Sequence, residues 1–448
     1  MRTLAEWLTL QESVHPKTID MGLARVSAVA RTLGVDKPHC PVVTVGGTNG
    51  KGSTVTHTEA LLRFGGASTG MFLSPHFIRY NERICVNGAE VTDAEIVSAF
   101  ERIEQARGTT TLTFFEYNAL AALLIFRDRA VEAMVLEVGL GGKLDATNLV
   151  DADVGVVCSI GFDHRDYLGD TLELIGAEKA GIFRPGRPAI LGTPEMPDSV
   201  FAAIAQLGAR PVVAGRDFSW TVHGERWSYR GLRRSFDDLP PSALAGFIQY
   251  RNAATALAAV ELLDWTRLGG RFGLEQRAVV QALGSVKLAG RFQIVPGANT
   301  GPVGALTPDG PAGSATRAGP GEWILDIAHN EPAAKIFAEH VRKRPLPRKG
   351  GHTFGVIGIL GDKDAREIVS SVAPLVDHWF ACSLPGPRGT SAQQLVQRLA
   401  LTPEAVTLAG SVEEGCERAR AASGPADRVL VFGSVYTVGP ALQWLRIY

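Results

Sequence analysis

The feature that most constrains the fold is a strand, a glycine-rich loop and a helix that follow one another without a break. Residues 41–45 read PVVTV, a β-branched run that predicts a buried strand, and residues 46–54 continue at once as GGTNGKGST. Residues 56–66 then read THTEALLRFGG and predict a helix that ends at its two glycines. A strand followed by such a loop and a helix is typical of α/β proteins that bind ligands at the loop.

Two further apolar strands end in glycine-rich or polar clusters. Residues 133–138 read AMVLEV and lead into GLGG, and residues 154–160 read VGVVCSI and lead into GFDH. Apolar strands that alternate with helices predict a mostly parallel sheet covered on both faces. In such sheets ligands bind beyond the carboxyl ends of the strands, and all three clusters lie at such ends.

The rest of the chain divides into segments of different character. Residues 21–33 and 252–263 have helical periodicity, and residues 212–240 alternate aromatic and polar residues around turn signals, which predicts a hairpin or small antiparallel sheet. Residues 296–321 are rich in Gly, Pro, Ala, Ser and Thr and predict a flexible loop.

After this loop a second α/β pattern predicts a separate domain. Its predicted strands are 323–328, 353–360, 379–382 and 428–432, and its predicted helices lie near 332–343, 364–375 and 391–400. We therefore predict an N-terminal domain at 1–292, a linker or insertion at 293–322 and a C-terminal domain at 323–448.

Composition excludes several classes of function. Lys plus Arg is 45 and Asp plus Glu is 46, so no net field recruits nucleic acid or an anionic membrane. The five cysteines form no CxxC pair, which favours free thiols in a reducing cytosol. The N-terminus carries Glu6 and Glu12 and lacks the apolar core of a secretory signal, and no apolar run reaches the ~20 residues of a membrane span. We expect a cytoplasmic protein.

The loop at residues 47–54 has the composition of a phosphate-binding site. Its glycines let backbone N–H groups converge on phosphate oxygens, and the helix that follows adds the positive end of its dipole. Lys51 can reach the β- and γ-phosphates, and the hydroxyl of Ser53 or its neighbour can bind Mg²⁺. The match to a strict P-loop is incomplete, since Val45 replaces the first glycine and Gly52 follows the lysine. The alternative is a plain glycine turn.

Ser74, Glu137 and His164 each follow a predicted strand. A hydroxyl and a carboxylate are hard ligands suited to Mg²⁺, whereas imidazole prefers softer metals. Spacing alone leaves structural roles open: Ser74 can cap a turn, Glu137 can bind backbone amides, and His164 can hold a neighbouring aspartate.

Other polar residues have equally open readings. Lys179 is expected on spacing alone to be a solvated surface lysine, because lysines are mostly exposed. Asp326 and His329 can cap the helix that follows them. Residues 362–364 and 386–388 can be solvated loops.

Taken together, these segments resemble one family, the folylpolyglutamate synthases, and most closely the bacterial bifunctional dihydrofolate synthase/folylpolyglutamate synthases. The resemblance runs from about Thr18 to Val438 and rests on motifs in the family's order: GTNGKGS, LSPHF with NERI, LEVGLGG with LDATN, FDH, EKAGIFRPGRPAI, GRFQIV, LDIAHN, GDKD and GPRGT. More remotely, the chain resembles the ATP-dependent amide ligases of cell-wall precursor synthesis. The resemblance implies a P-loop ATPase domain followed by a Rossmann-like domain.

The resemblance also implies ligands for ATP and Mg²⁺. The family's phosphate-binding residues match Thr48, Asn49, Gly50, Lys51, Gly52 and Ser53. Its remaining nucleotide contacts match Asn252, Arg291, Asp326 and His329. Ser74, Glu137 and His164 match the Mg²⁺ ligands, and Lys179 matches a lysine carried as N6-carboxylysine. Lys51, Lys179 and His164 would act in catalysis. Gln249, three residues before Asn252, fits the family's Q-x-x-N pattern.

The implied acceptor site is made of three short segments. They are Thr18, Ile19 and Asp20; Thr113, Phe114, Phe115 and Glu116; and Leu144, Asp145 and Ala146. The two aspartates would hydrogen-bond a pterin and one of the phenylalanines would stack on it.

The resemblance implies an ATP-dependent ligase that adds L-glutamate to dihydropteroate and to reduced folates through an acyl phosphate. The alternatives are a folylpolyglutamate synthase only, a cell-wall-type ligase acting on another carboxylate, and a nucleotide-gated switch without ligase activity. Only about 40 residues precede the loop, too few for the uridine-binding domain that the cell-wall ligases carry. We expect a monomer with small-molecule substrates and no nucleic-acid or membrane partner.

Overall fold

The computed structural model describes residues 2–15, 19–297, 319–399 and 401–448. Its contacts divide the chain into two units. Unit 1 comprises Met1–Ala243 and Ile248–Leu288, and unit 2 comprises Leu244–Phe247 and Ala289–Tyr448. The chain therefore leaves unit 1 after residue 243, returns at residue 248 and leaves it again after residue 288.

Unit 1 is built on an eight-stranded sheet. Its strands are β1 (Val42–Gly46), β2 (Thr69–Phe72), β3 (Ile84–Val86), β4 (Ala89–Glu90), β5 (Ala133–Glu137), β6 (Val154–Val157), β7 (Pro188–Leu191) and β8 (Arg210–Val213). The strand order is β4-β3-β2-β5-β1-β6-β7-β8. Pairing is parallel from β2 through β8, and β3 and β4 add antiparallel pairs at one edge. The parallel sheet predicted from the sequence is confirmed.

Ten helices belong to the described part of unit 1. They are α1 (Leu4–Val14), α2 (Ala24–Leu33), α3 (Lys51–Phe64), α4 (Asp93–Arg107), α5 (Phe114–Asp128), α6 (Arg165–Leu168), α7 (Leu172–Ala180), α8 (Asp198–Leu207), α9 (Ile248–Leu262) and α10 (Gln276–Ser285). One apolar core includes Phe72, Phe100 and Phe126, and a second includes Phe183 and Ile204. All five residues of β1 are buried, as expected for a central parallel strand.

A small antiparallel sheet completes unit 1. It consists of β9 (Ser219–His223), β10 (Arg226–Arg230) and β11 (Ser235–Leu239), with β10 in the middle. Along β10 the side chains of Trp227 and Tyr229 are buried while those of Arg226 and Arg230 are exposed. This alternation is the period of two that predicted a hairpin here.

Unit 2 has its own six-stranded sheet. Its strands are β12 (Gln293–Pro296), β13 (Glu322–Asp326), β14 (Thr353–Ile357), β15 (His378–Cys382), β16 (Val406–Ala409) and β17 (Arg428–Phe432). Its helices are α11 (Glu331–Lys343), α12 (Ala365–Ser370), α13 (Ala392–Leu399), α14 (Val412–Ala422) and α15 (Val435–Trp444). The order is β12-β13-β17-β14-β15-β16, parallel except for β12.

The structure differs from the sequence-based division at the linker. The range 293–322 begins with a strand, since β12 pairs antiparallel with β13 through Gln293 and Leu325. The contact-based division also falls earlier, between Leu288 and Ala289. Residues 298–318, the centre of the predicted loop, lie outside the described residues. β12 contains only two apolar residues, and a Gly/Pro-rich stretch follows them. So short an apolar run did not predict a strand, and the composition of the stretch predicted a loop.

Candidate active site

The loop between β1 and α3 adopts a shape that requires glycine. Gly47 and Gly50 have positive φ angles of 134° and 88°. A Cβ atom on Gly47 would lie 3.0 Å from the backbone nitrogen of Cys158, and one on Gly50 would lie 2.9 Å from Oδ1 of Asn252. Helix α3 begins at the next residue, Lys51. The loop thus presents the N-terminus of a buried helix at the carboxyl end of β1.

Thr48 and Asn49 fasten this loop to the residues that follow β6. The backbone N–H of Thr48 donates to the carbonyl of Ser159 at 2.8 Å, and its hydroxyl donates to the carbonyl of Gly161 and accepts from its N–H, both at 3.0 Å. The N–H of Asn49 donates to Ser159 Oγ at 3.2 Å. The Thr48 side chain therefore fixes the shape of the loop.

Two lysine ammonium groups meet at the carbonyl of Gly47. Nζ of Lys51 donates to this oxygen at 3.0 Å and to the Thr48 carbonyl at 3.2 Å, and Nζ of Lys179 donates to the Gly47 oxygen at 3.2 Å. Lys179 is only 5% exposed, so its reading as a solvated surface lysine is wrong. Burial and then the charge of Lys51 lower the pKa of Lys179 to about 7, while Asp163 among other carboxylates opposes the shift.

Glu137 and Ser74 lie on the other side of the loop. The Glu137 carboxylate is buried at the end of β5, and its Oε2 accepts a hydrogen bond of 2.9 Å from the backbone N–H of Ser74. A Cβ atom on Gly52 would lie 3.5 Å from Glu137 Oε1, which places the carboxylate beside the first turn of α3. A carboxylate is stabilised there by the helix dipole, and the same position lets it share a cation with bound phosphates.

His164 follows β6 and stands at the start of α6 with a positive φ of 51°. Its Nε2 lies 3.9 Å from Asp163 Oδ2. In the sheet, β1 lies between β5 and β6, so Glu137 and His164 leave from strands on either side of the phosphate loop. Across the described ranges, no group of three or more His, Cys, Asp or Glu side chains is arranged so that it could hold a metal ion. A set of one hydroxyl, one carboxylate and one imidazole is compatible with that finding and leaves coordination positions for phosphate.

Asn252, the predicted adenine contact, lies against the same loop. It is buried on α9, and its Nδ2 donates to Oε1 of Gln249 at 3.0 Å. Because Oδ1 of Asn252 contacts Gly50, the Asn252 amide packs against the residue that precedes α3. The structure therefore brings Asn252 together with the phosphate loop, as the resemblance implied.

The first two segments of the implied acceptor site are joined by an arginine. Arg25 donates from Nη1 to Asp20 Oδ2 at 2.7 Å and from Nη2 to Glu116 Oε1 at 3.2 Å. Thr113 and Glu116 form a capping box at the start of α5, with reciprocal bonds of 2.7 Å and 3.2 Å. Both residues thus stabilise the helix start, and Glu116 holds Arg25 with its second carboxylate oxygen. Thr18 lies outside the described residues.

The two phenylalanines of the capping box face different neighbours. The ring of Phe115 packs against Gly139, where a Cβ atom would lie 2.7 Å from Phe115 Cε2. The ring of Phe114 lies edge-on to Tyr80 at 6.0 Å and has the buried guanidinium of Arg83 over it at 5.5 Å. Gly139 therefore exists as glycine because an aromatic ring occupies the space of its side chain.

The third acceptor segment is held by Asp145. Its carboxylate accepts from the N–H of Leu140 at 2.8 Å and from the N–H and hydroxyl of Thr147 at 3.0 Å and 2.6 Å. Burial raises the pKa of Asp145 against these hydrogen bonds. Leu144, next to it, is 39% exposed. These three contacts shape the loop after Gly139, while Leu144 remains open to a ligand.

The glycine loop after β5 joins the acceptor segments to α7. A Cβ atom on Gly141 would lie 3.0 Å from Met21 Cε and 3.1 Å from Glu178 Oε1. Gly142 packs against the backbone carbonyl of Lys179, which a Cβ atom would approach to 2.8 Å. The loop at residues 139–146 thus contacts Met21, which follows the first implied segment, Phe115 of the second, and the backbone of the buried Lys179.

In unit 2, Asp326, Arg291 and His329 gather at the end of β13. The Asp326 carboxylate accepts from the N–H groups of Phe292 and Ala328, both at 2.8 Å. Burial raises the pKa of Asp326, and the charge of Arg291 opposes the shift. Nδ1 of His329 lies 3.2 Å from the Ile327 carbonyl.

Neither Asp326 nor His329 caps the helix that follows them. That position belongs to Asn330, whose Oδ1 accepts from the N–H of Ala333 at 3.0 Å. The loops at 362–364 and 386–388 bind each other, because Arg388 forms two hydrogen bonds with Asp362 at 3.2 Å and 2.6 Å. The interpretation of Asp326 and His329 as capping residues is therefore wrong, whereas the two loops are largely exposed to solvent, as expected, and are linked by this ion pair.

Sequence reasoning missed Arg25, Cys158 and Glu178. Arg25 is an ordinary arginine of α2 until the fold brings Asp20 and Glu116 to it. Cys158 packs beneath Gly47, and Glu178 supports the loop that contains Leu144 through an N–H contact of 3.3 Å. The capping box of α5, by contrast, is written as T-x-x-E in the sequence and was open to detection.

Among the described residues, no helix is both long and apolar enough to cross a membrane.

The family model of the Mur ligase middle domain matches residues 45–192, and that of the Mur ligase glutamate ligase domain matches residues 315–435. The first match includes the phosphate loop and the proposed metal ligands in unit 1, and the second covers most of unit 2.

Full-length relatives are similar along the whole chain. The dihydrofolate synthase/folylpolyglutamate synthase of Escherichia coli (strain K12) is 39% identical over 440 residues, covering 98% of this chain and 95% of that protein. The structure of E. coli FolC in complex with DHPP and ADP superposes with a TM-score of 0.87 at 39% identity, covering 99% of this chain and 97% of that one. A bifunctional folylpolyglutamate synthase/dihydrofolate synthase with Mn, AMPPNP and L-glutamate bound gives 0.84 at 35% identity, covering 99% and 98%.

Proposed function

The chain belongs to the dihydrofolate synthase/folylpolyglutamate synthase family, and we propose that it joins L-glutamate to dihydropteroate and to reduced folates at the expense of ATP. The observation that carries this proposal is the convergence of the Lys51 and Lys179 side chains on one carbonyl at a helix N-terminus, with a buried carboxylate beside the first turn of that helix. The helix N-terminus and the Lys51 ammonium fit a polyphosphate, and the adjacent carboxylate fits its divalent cation.

ATP is assigned to the loop that begins α3. The backbone of residues 47–53 would surround the phosphates, with Lys51 turning from the Gly47 and Thr48 carbonyls towards the β- and γ-phosphates. Asn252, packed against Gly50, would contact the base. Arg291, Asp326 and His329 are assigned to the rest of the nucleotide on the family pattern alone.

Ser74, Glu137 and His164 would hold Mg²⁺. Ser74 and Glu137 are already linked by a hydrogen bond, and Glu137 adjoins the turn that faces the phosphates. When bound, the cation supplies charge neutralisation on the phosphoryl oxygens. His164 is assigned on the family pattern and on its position across the phosphate loop from Glu137.

We assign Lys179 as the carboxylated lysine. Carboxylation requires a neutral amine, which attacks the carbon of CO₂, forms the N–C bond and releases one proton to water. A lysine with a pKa of about 7 supplies that amine at neutral pH, whereas an ordinary lysine is almost wholly protonated. The resulting anion removes the repulsion between Lys179 and Lys51 and adds an oxygen donor beside the metal site.

The acceptor is assigned to the surface around residues 139–146. Its pterin would bind among Ile19, Asp20, the phenylalanines of α5 and Leu144, with Thr18 adjoining in sequence. Because this loop packs against the backbone of Lys179, whose side chain reaches Gly47, we expect the acceptor's carboxylate to lie towards the phosphate site.

The reaction then proceeds in two displacements. An oxygen of the acceptor carboxylate attacks the γ-phosphorus of ATP, the bond to the β-phosphate oxygen breaks, and ADP leaves. The amine of L-glutamate attacks the carbon of the acyl phosphate, phosphate departs with the C–O bond pair, and the amine loses a proton. The Lys51 ammonium stabilises the charge of the transferring phosphoryl group, which is the main protein contribution to such reactions.

We further propose that the enzyme works as a cytoplasmic monomer. The five cysteines are free and buried, as expected in a reducing compartment. Sedimentation analysis at working concentration tests the oligomeric state, and a dimer would contradict it.

The function is tested by ADP release from the purified protein with ATP and Mg²⁺. Dihydropteroate and tetrahydrofolate are each supplied with and without L-glutamate. We expect continued ADP release, beyond one equivalent per enzyme, only when an acceptor and glutamate are both present, for both acceptors. If glutamate-dependent activity is found with tetrahydrofolate and not with dihydropteroate, the enzyme is restricted to chain extension. Slow ATP hydrolysis that needs neither the acceptor nor glutamate would contradict the ligase assignment.

A further inference from the structure

His57 lies on the second turn of α3, directly behind the phosphate-binding turn. It is 1% exposed, and both nitrogens of its imidazole have partners. Nδ1 lies 2.7 Å from the carbonyl oxygen of Ser53, and Nε2 lies 2.8 Å from the hydroxyl of Ser242. The imidazole thus connects the turn to a residue 185 positions away in sequence.

The partners of His57 determine which nitrogen carries the proton. A carbonyl oxygen only accepts hydrogen bonds, so Nδ1 is the protonated nitrogen and donates to Ser53. Nε2 is then an acceptor, and the Ser242 hydroxyl donates to it. Burial lowers the pKa of His57 to about 4, which keeps the ring neutral around pH 7 and preserves this arrangement.

His57 is the middle member of a belt of three side chains on α3, defined by Thr56, His57 and Thr58. The Thr56 hydroxyl donates to the carbonyl of Gly52 at 2.7 Å, and the Thr58 hydroxyl donates to that of Thr54 at 2.8 Å. With His57 on Ser53, three successive carbonyls of the first turn each receive a side-chain donor in addition to their helical bonds.

A hydrogen bond to a carbonyl makes the N–H of the same peptide group a stronger donor. The peptide group that contains the Ser53 carbonyl also contains the Thr54 N–H, which donates to Gly50 at 2.9 Å. That bond closes the turn in which Gly50 has a positive φ angle. The donor from His57 therefore strengthens the hydrogen bond that fixes the phosphate-binding turn.

The other end of the imidazole is held by a fixed segment. Ser242 precedes Ala243, whose N–H donates to the Leu283 carbonyl of α10 at 2.9 Å. Ala243 is also the last residue of unit 1 before the chain enters unit 2. The ring is thus anchored by a segment of unit 1 outside α3.

We propose that His57 is a positioning residue for ATP, which holds the Ser53 carbonyl through Nδ1–H and is itself held by Ser242. The proposal rests on the nucleotide site proposed above. Because the turn contacts the phosphates before and during transfer, its distortion weakens binding of ATP and of the transition state alike and raises KM more than it lowers kcat.

Three variants separate the two ends of the ring. His57→Asn places an amide N–H near the position of Nδ1 and keeps the donor to Ser53. His57→Gln reaches towards Ser242 and lacks a donor at the Nδ1 position. Ser242→Ala removes only the hydroxyl that bonds Nε2 and keeps the Cβ atom.

The readouts are the KM for ATP, the KM for dihydropteroate and kcat from ADP release. The KM for ATP is expected to rise about tenfold in His57→Gln, about threefold in Ser242→Ala and less than about threefold in His57→Asn, with kcat within about twofold and the dihydropteroate KM unchanged. Thr255→Val is the matched control, since Thr255 makes the same kind of buried bond, to the Arg251 carbonyl at 2.8 Å, on α9. Its KM for ATP is expected to stay at the wild-type value.

A wild-type KM for ATP in His57→Gln, with a lowered free energy of unfolding, would overturn the proposal and leave His57 as a packing residue. Lys51→Met is measured in parallel. If Lys51→Met keeps glutamate-dependent turnover, the proposed nucleotide site itself is wrong. If it loses turnover while His57→Gln keeps its affinity for ATP, only the positioning role is wrong.

Discussion

Replacing Lys179 by methionine should stabilise the unliganded protein, by an amount that depends on pH. The native pKa of Lys179 is about 7, against about 10.4 in an unfolded chain, because burial and then Lys51 disfavour its charge. At pH 7 the amine is almost fully protonated in the unfolded chain, and folding disfavours that charged form. This difference in proton binding opposes folding by roughly 4 kcal/mol. Methionine has no charge and loses one hydrogen bond to Gly47, worth about 1 kcal/mol, so the net stabilisation at pH 7 is about 3 kcal/mol.

The sign of the pH dependence follows from proton binding. Between about pH 7 and 10, the unfolded wild type binds one more proton than the folded protein, so its stability rises with pH by about 1.4 kcal/mol per unit. Lys179→Met lacks this proton difference. Its advantage over the wild type should therefore shrink by about 2 kcal/mol between pH 7 and pH 9.

The assay is pulse proteolysis in urea, with fragments of unit 1 followed by mass spectrometry in CO₂-free buffer that contains EDTA and no nucleotide. Lys143→Met, at an exposed lysine of the same unit, is the control and should show a small difference that does not change with pH. A Lys179→Met advantage that is equal at pH 7 and pH 9 would refute the reasoning, as would a loss of stability at pH 7.

Three further predictions concern the site. Lys51→Met should abolish ADP release while the protein keeps a cooperative urea transition, and retained glutamate-dependent turnover would contradict the assignment. Glu137→Gln should weaken Mn²⁺ binding about 10–100-fold by electron paramagnetic resonance, and unchanged affinity would exclude Glu137 as a ligand. Gly139→Ala should cost about 1–3 kcal/mol of stability and raise the KM for dihydropteroate, because its Cβ meets the Phe115 ring; adding Phe115→Leu should restore stability, and no recovery would contradict the steric cause.

The sequence predicted those parts of the fold and site that depend on residues close together in the chain. The strand–loop–helix unit at β1 and α3 is local, since the β-branched run, the glycines and the apolar helix lie within about 25 residues. The edge of the sheet at which the polar clusters lie also follows from strand direction alone. Helix α1 escaped prediction although Thr3 and Glu6 form a capping box at its start.

The roles of buried charges could not be predicted in the same way. Lys179 sits on a mild helical stretch, and only packing against the Gly47 carbonyl reveals that it is buried. Its lowered pKa arises first from burial and then from the charge of Lys51, which is 128 residues away in sequence. Similarly, Arg25 gains a role only because Asp20 and Glu116 converge on it. Such sites depend on long-range contacts that periodicity and composition do not encode.

The acyl-phosphate mechanism is tested most directly by the fate of an oxygen atom. Dihydropteroate labelled with ¹⁸O in both carboxylate oxygens is incubated with the enzyme, ATP, Mg²⁺ and L-glutamate, and the released phosphate is analysed by mass spectrometry. Attack of the carboxylate on the γ-phosphorus predicts one ¹⁸O atom in each phosphate, and a Lys51→Met control is expected to release no phosphate above background. Unlabelled phosphate formed together with amide product would contradict the mechanism.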